Sequence, residues 1–381
     1  MFLDTLGYVE VDRDGNEWSI DDFSFDKINL MVGQNSTGKS RTLNVINALG
    51  GLLAGERQIT FSGKFCPVFR KDDKSKIKYL LEHRDHKVIK ETLQIKEKSF
   101  LERGPDGEGT IYAEELGQDI KFQVPDSLIA SVAKRDAIQH PFFDNLYEWG
   151  KSLRFYQFGT YLGRDRFAVF NENGGKDTLD LKNTDSVVVF LKKGQKEFGK
   201  EFVEEIISDI NGIGYNITEI GVRPLLQVLT PSPMAIPEAI YIKESEHNHV
   251  VEQNEISQGL FRALSLFIQL RFSARFGIPS LILIDDIGEG LDYERSTKLI
   301  SSIIKIAKSS KVQLIMTTNN RFVMNNVPLE YWVVLIRNAG NCRALDYRNS
   351  KEMFDNFEMT GLSNFDFFSS KYYERASDVS K

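Results

Sequence analysis

Gly33-Gln34-Asn35-Ser36-Thr37-Gly38-Lys39-Ser40 fits the pattern G-x-x-x-x-G-K-[ST] at every fixed position. Its flanks fit as well. Lys27-Ile28-Asn29-Leu30-Met31-Val32 is the apolar, β-prone run of a buried strand. From Arg41 to Leu53, apolar Leu43, Val45, Ile46, Leu49 and Leu52 fall at helical spacing. Strand, glycine loop, helix is the setting in which this pattern holds phosphate. Gly33 and Gly38 let the backbone curl until its N–H groups point inward at an anion. The helix that follows adds its positive N-terminal end. Asn35, Ser36 and Thr37 fill the loop, and Arg41 opens the helix beyond it. Lys39 is placed to reach β- and γ-phosphates, and Ser40 to bind Mg²⁺ through its hydroxyl.

With 381 residues, the chain has room for two domains or one large domain with insertions. A hydrophobic content of 41% and a charged content of 27% are ordinary for a globular protein. Cys66 and Cys342 stand far apart with no C-x-x-C partner, which argues against a zinc site or a disulfide framework. That usage fits a reducing compartment, so a cytoplasmic location is expected. No apolar run approaches the ~20 residues of a membrane span, and the start of the chain lacks a basic n-region. A net charge of −6 is not the footprint of a dedicated nucleic-acid binder. The charge is uneven, however. Phe61 to Arg103 holds twelve Lys/Arg against seven Asp/Glu. Its densest part, Arg70-Lys71-Asp72-Asp73-Lys74-Ser75-Lys76-Ile77-Lys78, reads either as a polyanion-contacting edge or as a solvated hairpin rim.

Residues 1–32 read as strands, and 59–124 as further strands with a hairpin about Arg84-Asp85-His86. A helix is expected from Pro125 to about Ile138, a short strand from Ser152 to Phe158, and a loop from Arg164 to Asn183. A second helix is expected over Phe198–Ile210, with strands over Tyr215–Val228 and Ala239–Lys243. There is no internal repeat and no sustained heptad run, so any projecting arm is short.

The second half of the site lies far along the chain. Leu281-Ile282-Leu283-Ile284-Asp285-Asp286 is an apolar strand ending in two acids, the Walker B form. Asp285 is placed for Mg²⁺ and Asp286 for the attacking water. The string continues Ile287-Gly288-Glu289-Gly290-Leu291-Asp292, which follows the D-E-x-x-x-x-L-D wording of ABC-type ATPases. Upstream stands Ile256-Ser257-Gln258-Gly259-Leu260-Phe261-Arg262, which resembles the ABC signature. Downstream, Val312 to Thr318 is a buried strand that leads to Asn319, where that family has His.

The order of phosphate loop, long insertion, signature, Walker B, D-loop and switch strand resembles an ABC-type ATPase head of the OLD/RecF/SMC-like group, common in prokaryotic anti-phage systems. The likeness extends over most of the chain, with its motifs in residues 25–42 and 255–320. It implies an α/β fold: a mixed, mainly parallel core sheet flanked by helices, an antiparallel β subdomain, and a short inserted helical/β region. On that basis the chain divides into an N-terminal lobe (1–160), an insertion (161–250) and a C-terminal lobe (251–381). The resemblance implies ATP and Mg²⁺ as cofactors and a head-to-head homodimer. In such a dimer Ser257 and Gly259 of one subunit close on the γ-phosphate held by Lys39 of the other, and Asp292 contacts the partner. Gln157, after a strand and before the insertion, is the candidate Q-loop ligand to Mg²⁺; a purely structural glutamine is the other reading.

Two departures bear on activity. Asp286 stands where the family has Glu and is one methylene shorter, which sets its carboxylate back from the water. Asn319 hydrogen-bonds phosphate but carries no charge. Slow hydrolysis is therefore expected, suited to a switch, with Glu289 as an alternative base. Three roles compete: a regulatory ATPase controlling a separate effector, a DNA-repair ATPase touching duplex DNA through residues 61–103, and a nucleotide-dependent scaffold. His247-Asn248-His249 lacks the carboxylate or thiol that would complete a metal site. Phe354, Phe357, Phe365, Phe367, Phe368, Tyr372 and Tyr373 crowd the C-terminal segment, either as a docking surface or as cover for the end of the core sheet.

Overall fold

A computed structural model describes residues 1–169, 180, 182–225, 237–246, 249–277 and 279–374. Packing divides the chain into two units that interleave in sequence. The first is Met1–Leu153, Gln313–Thr317 and Pro328–Lys381; the second is Arg154–Val312 and Thr318–Val327. The three-segment division above is a proposal about motif grouping and is distinct from these packing units.

Along the chain, the first unit opens with β1 (Phe2–Val11), β2 (Glu17–Ser24) and β3 (Ile28–Val32). After the helix Lys39–Leu53 come β4 (Ser62–Arg70), β5 (Lys76–Arg84), β6 (Lys87–Ile95), β7 (Lys98–Arg103), β8 (Glu108–Ala113) and β9 (Gln118–Gln123). The second unit carries β10 (Arg154–Gln157), β11 (Ala168–Val169), β12 (Ile217–Pro224), β13 (Pro237–Glu244), β14 (Val250–Glu252) and β15 (Ser280–Asp285). The chain then supplies β16 (Val312–Thr317), β17 (Trp332–Asn338) and β18 (Asn341–Asp346).

In the first unit β3 lies between β16 and β17, parallel to both. All five residues of β3 and all six of β16 are buried. A parallel strand covered on both faces has to be apolar throughout, which is why no alternation marks these runs. Beyond β17 the order continues β18, β2, β1, β4 and on to β9. From β1 to β9 the pairing is antiparallel, and β5 alternates buried and exposed along its length. One face of this part is solvated, so its sequence shows the period of two that was legible from the start.

The helix expected from Pro125 to Ile138 is not formed. Only Ala130–Ala133 is helical. The cause is a buried ion pair, Glu91 with Arg103, both side chains fully buried. Glu91 accepts from the backbone N–H of Ala130 (2.7 Å) and Ser131 (2.9 Å) and from Tyr79 Oη (2.9 Å). Arg103 donates to the carbonyls of Leu128 (2.5 Å) and Pro125 (2.9 Å). Tertiary partners thus satisfy the backbone groups that a helix would have used.

The C-terminal aromatics cover the core of the first unit. Phe354, Phe357, Phe367 and Tyr373 are buried. Phe367 stacks on Phe354 at 5.0 Å and meets the edge of Trp332, the first residue of β17, at 6.2 Å. Phe365, Phe368 and Tyr372 are half-buried around them.

In the second unit β10 pairs in parallel with β15. A small antiparallel sheet places β13 between β11 and β12, with β14 also on β13. The helix expected over Phe198–Ile210 runs from Lys200 to Gly212, and another, Val187–Phe198, precedes it across Gly199. The sequence reading missed that earlier helix and began the later one two residues early. The long helix Gln258–Phe276 is buried nearly all round. Arg271 pairs with Asp209 (2.6 Å) and Arg275 with Glu205 (2.7 Å), holding it against Lys200–Gly212. The loop reading of Arg164–Asn183 and the Tyr215–Val228 strand fall partly outside the described residues, as do His247 and Asn248.

Candidate nucleotide site

The phosphate loop leaves the buried end of β3 and turns into the helix Lys39–Leu53. A Cβ on Gly33 would lie 2.6 Å from Thr37 Oγ1 and 3.1 Å from the Leu335 carbonyl, so only glycine fits. Gly38 has φ +107°, and Ser36 also lies in the left-handed region at +66°. The carbonyls of Gln34, Ser36 and Thr37 are drawn aside. Thr37 Oγ1 donates to Gln34 O (2.9 Å), Arg337 Nη1 to Ser36 O (3.0 Å), and Cys342 Sγ to Thr37 O (3.1 Å). No acceptor among the described residues engages the N–H groups of Asn35, Ser36 or Gly38. This is the donor nest an anion requires.

Lys39 is buried, and its Nζ donates to Gly33 O (2.7 Å) and Gln34 O (3.2 Å). Ser40, like Asn35 and Ser36, is exposed. Arg41 lies over the Trp18 ring, 4.1 Å from its centroid, and pairs with Glu10. Glu10 also accepts from Tyr8 Oη at 2.6 Å. Burial lowers the Arg41 pKa, and nearby Arg337 lowers it further. Burial also pushes the Cys342 thiol up to about 11, which keeps it a protonated donor.

In the second unit, parallel register sets Gln157 beside Asp285. The Phe158 N–H donates to the Asp285 carbonyl (3.0 Å), which holds the two strand ends together. Gln157 is exposed and Asp285 half-buried. Asp286 follows with φ +55°. Asp tolerates the left-handed region far better than most residues, which gives a physical reason for the shorter acid here. Asn319 Nδ2 donates to Asp286 Oδ1 (3.4 Å). Thr318 Oγ1 donates to the Ile287 carbonyl (2.9 Å) and fixes the switch segment to this turn. Asp286 to Leu291 and Thr318 to Phe322 line an open cavity of about 580 Å³.

Ser257 N-caps the long helix, but its hydroxyl makes no capping bond, and the residue is exposed. A Cβ on Gly259 would sit 3.1 Å from the Gly290 carbonyl, so the signature packs against the D-loop at van der Waals distance. Asp292 N-caps Tyr293–Lys308, accepting from Arg295 N–H (2.9 Å) and pairing with Arg295 Nη1 (2.7 Å). The Arg295 N–H bond is the main reason its carboxyl titrates below the usual range. Glu289 turns its carboxylate over Gly159, where a Cβ would lie 2.5 Å from Oε2.

The sequence reading missed Arg262. This buried side chain donates to Gly159 O (2.5 Å), Thr160 O (2.9 Å) and Glu289 O (3.1 Å). It thereby joins the segment after Gln157, the signature helix and the D-loop. Its signal was a lone charge within an apolar helical stripe. Arg337 and Cys342 gave no local signal at all.

The basic stretch is largely paired within the unit. Lys76 and Arg348 both bind Asp4 at 3.1 Å, and Lys78 binds Glu97 at 3.0 Å. Among the described residues, no group of three or more His, Cys, Asp or Glu could hold a metal ion, and no helix is long and apolar enough to cross a membrane.

A family model described as "AAA domain, putative AbiEii toxin, Type IV TA system" matches residues 28–325. The chain belongs to this family. No curated protein matches it in sequence. The structure of an SMC head bound to the C-winged helix domain of ScpA is similar at TM-score 0.53 and 14% identity, over 91% of this chain and 97% of that one. This likeness shows the fold, an α/β ABC-type ATPase head, as the motif order implied. An SMC head with an extended coiled coil from Pyrococcus furiosus, bound to the C-terminal domain of ScpA, aligns at 0.47 and 13% identity, over 94% and 99%. The SMC head domain from Thermotoga maritima aligns at 0.43 and 14%, over 91% and 99%. This AAA-family member is thus a nucleotide-binding ATPase by class, and proteins of that class use ATP with Mg²⁺. The residues of the phosphate loop fit that ligand: a donor nest, a buried lysine and an exposed serine at the helix start.

Proposed function

We propose that this chain binds Mg·ATP and hydrolyses it slowly, as an ATP-dependent dimerisation switch that controls a separate effector protein in anti-phage defence. ATP supplies the anhydride whose cleavage resets the switch. Gly33 to Ser40, with Arg41, hold the phosphates, and Ser40, Asp285 and Gln157 are the Mg²⁺ ligands. Asp286 accepts the proton of the attacking water, and Asn319 orients that water and the γ-phosphate. Ser257, Gly259 and Asp292 act across the dimer on the second copy's nucleotide.

The observation that carries this reading is the Asp286–Asn319 contact, with the second acid of β15 in a left-handed turn. A short acid partnered by a neutral amide supports a low turnover, because the shorter carboxylate sits back from the water and the amide of Asn319 can carry neither a proton nor a charge. A separate effector is favoured because the SMC head similar at TM-score 0.53 is seen with a second protein, the C-winged helix domain of ScpA. Duplex DNA as the partner has less support, since Lys76 and Lys78 already have carboxylate partners.

The test compares Lys39→Ala with Asp286→Asn. Lys39→Ala is expected to lose ATP binding. Asp286→Asn is expected to bind ATP, stop hydrolysis and accumulate as a dimer by light scattering. A turnover above the ~10 s⁻¹ typical of enzymes, or an ATP-bound Asp286→Asn that stays monomeric, would overturn the switch.

A further inference from the structure

We propose that Arg337 is a nucleotide-binding residue: the β17–β18 hairpin carries its guanidinium to the phosphate loop, where it contacts the terminal phosphate of ATP. This rests on the reading of Gly33–Ser40 as an ATP site and names a cation that no sequence motif for that site contains.

The argument starts from where the hairpin meets the loop. β17 and β18 pair out to Asn338↔Asn341, and Ala339, at φ +53°, helps to turn the chain between them. The hairpin touches the loop at three successive places. The Leu335 carbonyl faces Gly33, Arg337 reaches Ser36, and Cys342 reaches Thr37. Loop and hairpin lie about 300 residues apart in sequence, within one packing unit.

Two of the donor nitrogens of Arg337 are committed. Nη1 donates to Ser36 O at 3.0 Å and Nε to Ala339 O at 2.7 Å. Those bonds fix the plane of the guanidinium. Nη2 has no partner among the described residues, and the side chain is exposed. Arg337 forms no ion pair with a carboxylate among them, whereas Arg41 has Glu10. A fixed, uncompensated guanidinium beside a nest of free N–H groups is an arrangement that an anion completes. Arginine suits it because a planar fork can hold a carbonyl with one arm and a phosphate oxygen with the other. A lysine would supply charge without holding both.

The same contact supplies a structural role, since pulling Ser36 O outward helps to turn the loop N–H groups inward. The two roles separate by phosphate number. Losing a direct contact with the terminal phosphate weakens ATP more than ADP and leaves adenosine unaffected. A purely loop-shaping role weakens ATP and ADP in equal proportion.

The experiment titrates the full chain with ATP and ADP in Mg²⁺, and with adenosine, by calorimetry. It uses the wild type, Arg337→Ala, Arg337→Lys and Lys39→Ala, with a thermal melt of each without nucleotide. Arg337→Ala is expected to weaken ATP binding roughly ten- to a hundredfold, the range for a charged hydrogen bond, with a smaller loss for ADP. Arg337→Lys recovers part of it. ATP binding by Arg337→Ala within about twofold of wild type, or equal losses for ATP and ADP, overturns the proposal. If Arg337→Ala does not fold, Arg337→Lys decides by the same ATP-to-ADP comparison. Wild-type affinity in Lys39→Ala would instead overturn the ATP-site reading itself, which makes the two failures distinguishable.

Discussion

Replacing Arg262 with alanine tests how the second unit is held together. The side chain is buried at 6% exposure and donates to three carbonyls, of Gly159, Thr160 and Glu289. A hydrogen bond from a charged group contributes about 1.5–3 kcal/mol. Three such bonds would sum well above the net value, because burying the guanidinium costs several kcal/mol in return. Truncation also leaves three carbonyls short of a donor, though water reaches the exposed Glu289 loop. The expected net loss is about 2–4 kcal/mol. For a unit of this size that corresponds to a fall of roughly 5–15 °C in melting temperature. Arg262→Lys keeps the charge but reaches fewer carbonyls, and should lose about half as much. The assay is a thermal melt of the full chain, with ATPase rate measured alongside. If Arg262→Ala melts within about 2 °C of wild type, the three bonds do not hold these segments, and the reasoning fails.

Other consequences follow from the same structure. Gly33→Ala should abolish nucleotide binding and lower the melting temperature, since its Cβ would lie 2.6 Å from Thr37 Oγ1 and 3.1 Å from the Leu335 carbonyl; retained ATP binding by calorimetry would count against the loop geometry. Glu91→Gln breaks the buried pair with Arg103 and should cost about 3–5 kcal/mol in denaturant unfolding, because an unpaired guanidinium is left inside; a cost below about 1 kcal/mol would refute it. His83 is buried, with Nδ1 against the Phe61 carbonyl at 2.6 Å, and burial lowers its pKa from 6.5. The unfolded chain therefore takes up the proton first, so this contribution is lost as pH falls below about 6.5 towards the folded value. A His83→Gln variant should show a shallower decline in stability between about pH 7 and pH 5, and an unchanged slope would refute the assignment. Asp286→Glu is expected to slow or abolish turnover, because Glu is less at ease at φ +55° than Asp; a faster ATPase would show that carboxylate reach outweighs backbone strain.

The parts of the fold that were legible in sequence are those built from local rules. The phosphate loop is a short loop between a strand and a helix, and each residue type in it answers a local need. The alternation in β5 and the helical face of Lys200–Gly212 were legible for the same reason. The helix expected over Pro125–Ile138 failed because Glu91 and Arg103, distant in sequence, took its backbone groups. The Val187–Phe198 helix was missed. The C-terminal aromatics allowed two readings, and only the packing of Phe367 against Phe354 and Trp332 chose between them.

By itself the sequence determined the ATPase class. Motif residues and their order are dictated by phosphate chemistry, and that chemistry is local to each loop. Only the tertiary structure decided what restrains those loops. Asp286 sits in a left-handed turn against Asn319. Arg262 binds three segments through their carbonyls. Arg337 and Cys342 return from the far end of the chain to draw aside the carbonyls of Ser36 and Thr37. The physical reason is that a hydrogen bond between a side chain and a remote carbonyl leaves no periodicity and no motif in the sequence. It exists only once the sheet has brought β17 and β18 to the end of β3.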